Sequence, residues 1–122
     1  MAEYLVLIYE DETRTAAMSA EASAELIGRF QEFMARNESS VQRGQRLFAS
    51  TSARSVRREA DGGVSVTDGA FIESKEVVAG YFLIEAEDLG AAVEVAGQIP
   101  VMHGGVEVRE IRPTPDAGSP KR

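Results

Sequence analysis

Two stretches of this chain are apolar on both faces of a strand, and they constrain the fold more than any other feature. In Glu3 to Glu10, EYLVLIYE, the side chains of Tyr4, Val6 and Ile8 alternate with those of Leu5, Leu7 and Tyr9. An extended backbone therefore carries apolar groups on both sides. Val77 to Ile84, VVAGYFLI, has the same character. Strands of this kind need cover above and below, which places both in the middle of a sheet.

The segments between them alternate in a recognisable order. Asp11 to Met18 reads as a polar connection. Ser19 is a good N-cap, and Glu21 in the first turn suits the helix dipole. Ala22, Leu26, Phe30, Phe33, Met34 and Val41 then recur at helical spacing, predicting one amphipathic helix over Ser19 to Arg43, with Gly44 as its stop. Leu47 to Ala49 is expected to form a short strand. Ser55 to Glu59 and Gly63 to Thr67 flank Ala60-Asp61-Gly62, which reads as a hairpin. Its apolar residues are only Val56, Val64 and Val66, so it belongs at an edge or over the mouth of a site. Asp88 caps a second helix with the stripe Leu89, Ala92, Val93, Ala96 and Ile99, ended by Pro100. Gly105 to Ile111 alternates Val106 and Val108 with Glu107 and Arg109, as an edge strand does. Pro113 to Arg122, PTPDAGSPKR, reads as a disordered tail after a single domain over residues 1–112.

Strand, helix, strand with a hairpin, strand, helix, strand is the split βαβ order of a ferredoxin-like α+β fold. That fold centres its first and third core strands, which here are the two apolar on both faces. Two helices cover one face of such a sheet only. The uncovered face would be too apolar for a monomer, so the expectation is a homodimer, sheet against sheet, forming a dimeric α+β barrel.

Composition narrows the chemistry. With no cysteine, disulfide scaffolds, thiol nucleophiles, zinc–cysteine sites and iron–sulfur clusters are excluded. A net charge of −7 argues against a nucleic-acid surface. No apolar run approaches the roughly 20 residues of a membrane-spanning helix, and the start lacks a basic-then-apolar leader pattern, so a cytoplasmic location is expected. No phosphate loop, dinucleotide fingerprint or serine-hydrolase elbow is present.

Val66 to Glu76, VTDGAFIESKE, carries a resemblance. Thr67-Asp68-Gly69-Ala70-Phe71, then Glu73-Ser74-Lys75-Glu76, then Gly80 to Ile84 follow the order and spacing of the DGPF branch of the YCII-related family. The resemblance extends over about residues 1 to 112. It implies a dimeric ferredoxin-like barrel. It also implies a setting beside extracytoplasmic-function sigma factors for some members, and acid–base chemistry through a His–Asp pair in a narrower group. Two departures stand out. Ala70 replaces the signature proline, and the only histidine is His103, not a residue near the first helix. The His–Asp mechanism therefore does not carry over.

The candidate residues each have a plain structural reading beside the chemical one. Asp68 either holds its turn or presents a carboxylate at a cleft. Glu73 and Lys75 would share a face of an extended segment, either solvated or with Lys75 turned toward Asp68 or a ligand carboxylate. His103 is an exposed loop residue or a proton shuttle. Asp68, Lys75 and His103 are the candidate catalytic set; Tyr9, Phe71, Glu73 and Tyr81 are the candidate ligand contacts, with Tyr9 and Tyr81 otherwise packing in the core or an interface. One histidine among scattered carboxylates sets out no metal site. Two functions follow. One is a dimeric module that binds a small polar ligand, with a regulatory role or a protein partner. The other is a small-molecule enzyme, of lyase or hydrolase type, using acid–base chemistry without an organic cofactor.

Overall fold

The structure is a computed structural model describing residues 1–71 and 74–114. The tail expected over 113–122 therefore lies outside the described residues from 115 onward.

Ala2–Asp11 forms β1 and Glu76–Ala86 forms β5, and these are the two long central strands. Val41–Arg46 (β2) and Gly104–Glu110 (β6) flank them, giving the antiparallel order β2-β5-β1-β6. This is the arrangement expected for the split βαβ pattern. Register pairs Leu5 with Leu83 and Leu7 with Tyr81, with a bulge between Ile8 and Tyr9. Tyr4, Val6 and Ile8 are buried with Phe82, Ile84 and Ala86 on one face, beneath the helices. Leu5, Leu7, Tyr9, Tyr81 and Leu83 point the other way and stay half-exposed, since no element among the described residues covers them.

The two longer helices meet the sheet through side chains of different size. Leu89–Ala96 (α3) is capped by Asp88, whose carboxylate accepts from the Ala91 N–H at 2.8 Å. Its buried positions are Ala92 and Ala96, small enough to let the backbone lie close. Ala20–Arg36 (α2) is capped by Ser19 and turns Leu26, Phe30 and Phe33 toward the sheet. Phe33 closes on Phe82 with ring centroids 5.2 Å apart, and Phe30 stacks on Phe82 at 6.4 Å. These long side chains hold α2 away from the strands.

Three local expectations are corrected. The first helix ends at Arg36, not Arg43, because Asn37 turns its amide back to the Phe33 carbonyl at 3.0 Å and breaks the backbone run. Val41 instead pairs with Ile84 in β2. That strand is earlier than the expected Leu47–Ala49, and Gly44 lies inside it: a Cβ there would strike the Phe82 ring. Finally, the polar connection contains a short helix, Glu12–Ala16 (α1), capped by the Asp11 carboxylate.

Between β2 and β5 the chain makes a one-turn 3₁₀ helix (Ser50–Ser52) and then the hairpin of Arg54–Arg58 (β3) and Val64–Asp68 (β4). The hairpin is its own two-stranded sheet. Glu12 receives both the N–H and the hydroxyl of Ser50, at 2.7 and 2.6 Å, and ties this excursion to α1. Ser55 donates to the carbonyl of Gly69, a residue whose φ of +88° suits glycine.

Candidate functional site

The gap beneath α2 is a cavity of about 520 Å³, within the range of small-molecule sites. Its roof is α2, with Leu26, Ile27, Phe30 and Met34 lining it; its floor is Ile8, Gly80 and Phe82 on the sheet. Gly80 is required by the backbone itself. A Cβ there would lie 2.8 Å from the Gln45 carbonyl oxygen. The missing side chain also recesses the floor midway between β1 and β2.

Two charged groups line these apolar walls. Glu10 continues the parity of Tyr4, Val6 and Ile8, so its carboxylate projects to the helix side, and the residue is only 7% exposed. Thr15 of α1 donates to its Oε1 at 3.3 Å. Arg46, exposed at the end of β2, lines the same cavity. Among the described residues, neither group forms an ion pair. A buried carboxylate with one long hydrogen bond retains capacity for a donor from a ligand.

The residues singled out by sequence are distributed over several places. Asp68 ends β4, its side chain 89% exposed and ion-paired to Arg54 at 3.2 Å. It lines a second cleft of about 420 Å³ with Ser50, Phe71, Ser74 and Val77. Phe71 is exposed there, with the Arg57 guanidinium 4.5 Å from its ring centroid. Lys75 is exposed and makes no ion pair among the described residues. Glu73 lies outside the described residues. His103 is half-buried before β6; its carbonyl accepts from the Asp11 N–H at 2.8 Å, and its Nδ1 is buried without a hydrogen-bond partner among the described residues. Among the described residues, neither cleft brings Asp68, Lys75 and His103 together.

Tyr9 and Tyr81 sit on the open face by register. The Tyr9 hydroxyl donates to Glu107 at 3.1 Å, and this bond, with burial and the carboxylate's charge, raises its pKa. Tyr81 also borders the α2 cavity from its place on β5. No cluster of three or more potential metal ligands occurs among the described residues. None of the helices among them is long and apolar enough to cross a membrane.

Comparison with known proteins gives the lineage. The model of the YCII-related domain family matches residues 2–115. The chain belongs to the YCII-related family. An uncharacterized protein of Rhizobium meliloti (strain 1021), R00369, is 31% identical over 115 residues, covering 90% of each chain. The matched span includes all the strands and helices of this YCII-related domain, and both clefts.

Sequence reasoning missed Glu10 and Arg46. The signal for Glu10 was present, since it falls on the alternate positions occupied by Tyr4, Val6 and Ile8. Arg46 had no such signal, because the strand that orients it is almost entirely polar.

Proposed function

We propose that this YCII-related domain binds a small molecule with an apolar body in the cavity beneath α2, and that it works as a homodimer through its open sheet face. The observation that carries the binding reading is Glu10, a nearly buried carboxylate with no ion pair among the described residues, set in a chamber whose roof and floor are mostly apolar. A folded chain rarely keeps such a group without use for it. The dimer reading is supported by the uncovered leucines and tyrosines of β1 and β5. A ligand-responsive role beside a sigma factor, as the DGPF resemblance implies, would suit a binding domain of this kind.

An acid–base enzyme is the second reading. Glu10 favours it, because a carboxylate lining a cleft with apolar walls is placed to exchange a proton with a bound substrate. The hairpin cleft, with Asp68 and Phe71, is the alternative site. In that variant Lys75, exposed on the segment that leads into β5, would join it as the electrostatic partner.

A thermal-shift screen of wild-type protein against a metabolite library separates these sites. The variants are Ile27→Trp, which fills the α2 cavity from a half-exposed position, and Asp68→Asn. A hit lost in Ile27→Trp and kept in Asp68→Asn locates the ligand beneath α2. The reverse pattern moves it to the hairpin. Absence of any hit in the wild type removes the binding reading.

A further inference from the structure

The α2 cavity has charged groups of opposite sign set two strands apart. Arg46 of β2 is level with Gly80 of β5, and Gly80 is level with Ile8 of β1, two residues before Glu10. Two strand spacings separate β2 from β1, roughly 10 Å. Arg46 and Glu10 both line the cavity, and the strand between them has no side chain at Gly80 to fill the interval. They do not pair with each other. The walls over this interval are Leu26, Ile27 and Phe30 of α2, with Phe82 below.

Resting on the binding reading above, we propose that the ligand is a small zwitterion with an apolar body, of the class of apolar α-amino acids. Its ammonium group is held by the Glu10 carboxylate and its carboxylate by the Arg46 guanidinium. The apolar side chain lies under α2 against Phe30 and Leu26. Each charge on the ligand then meets an opposite charge that forms no ion pair among the described residues. Arg46 suits the carboxylate end because a guanidinium offers two parallel donors to it. Glu10 suits the ammonium end because it lines the chamber and keeps acceptor capacity beyond its one hydrogen bond from Thr15. A purely anionic ligand would set its charge against Glu10, and a purely cationic one would leave Arg46 unused.

Isothermal titration of the full chain tests this with four probes of one shape: L-phenylalanine, phenethylamine, 3-phenylpropionate and 3-phenylpropan-1-ol. The expected result is binding of L-phenylalanine at least tenfold tighter than any of the other three. Glu10→Gln should abolish the preference for L-phenylalanine over 3-phenylpropionate. Arg46→Gln should abolish its preference over phenethylamine. Both variants keep a polar group of similar size, and far-ultraviolet circular dichroism verifies that each is folded. If the neutral alcohol binds as well as the amino acid in the wild type, the zwitterion proposal is overturned while the cavity remains a binding site. Equal binding by the amine alone, or the acid alone, overturns it in the same way. If no probe binds, and Ile27→Trp still loses a ligand found by the thermal-shift screen, the chamber is a site for another chemistry. If no probe binds and that screen is also silent, both readings fail together.

Discussion

At the scale of single residues, the sheet's two faces set opposite demands on tyrosine. Tyr4 is buried beneath the helices, and desolvation, aided by the charges of Glu110 and Asp88, raises its pKa. Tyr9 faces outward and is held protonated chiefly by its bond to Glu107. A phenol whose folded pKa is raised stabilises the fold fully below its unfolded value near 10.0, and that contribution disappears as pH rises through the folded value. Tyr9→Phe should therefore be less stable than wild type at neutral pH, with the gap closing above pH 10. Denaturant titrations across that range check it. Phe33 shows the apolar counterpart. It is almost fully buried between α2 and Phe82, so Phe33→Ala should cost about 3–5 kcal/mol by chemical denaturation. Phe33 and the faces of β1 were legible because their neighbours repeat at a fixed period. Glu10 was harder: reading it as a site means treating a carboxylate at the end of a strand as part of the buried face.

Among the elements, the hairpin is the least secured. Among the described residues its strands pair only with each other, and Val56, Val64 and Val66 lie on one side, each more than half exposed. A two-stranded sheet with no apolar cover has little to resist local opening. Amide hydrogen exchange should run much faster in Arg54–Arg58 and Val64–Asp68 than in β1 and β5, by two or more orders of magnitude on the scale of local against global opening. Equal protection would show that a partner covers the hairpin. The sequence placed this hairpin almost to the residue, because Asp61, Gly62 and Gly63 leave few other backbone routes. It misplaced β2 for the opposite reason. VQRGQR has one strongly apolar residue, and its membership in the sheet comes from backbone pairing to β5, which no side-chain pattern records. The short helix α1 was missed on similar grounds: it buries nothing and depends on the Asp11 cap.

For the molecule as a whole, the question is what covers the outer face of the sheet. Leu5 and Leu83 are directly opposed there, with Leu7 and Tyr81 beside them, and charged Arg43, Glu107 and Arg109 lie toward the edges. An apolar centre with a charged rim is the pattern of an interface. Light scattering should give twice 13.2 kDa for the wild type, and Leu83→Arg should return the mass to a single chain while keeping the helical spectrum. A wild-type protein that stays monomeric at high concentration would remove the barrel. This expectation was readable early, because two helices cannot cover two faces. The cavity was not, since its size depends on how far bulky side chains hold α2 from the strands.

The central pair, β1 and β5, has residues 12–75 between its strands. The chain must therefore close a long loop before its principal contacts form, and most of that delay is set by topology. Yet the entropy of closing a loop grows only with the logarithm of its length, by about 0.6 kcal/mol for each doubling. Lengthening or trimming the β3–β4 excursion should thus change the folding rate and the final stability only slightly. The hairpin is a region where insertions and deletions can accumulate while the sheet and the chamber beneath α2 keep their shape.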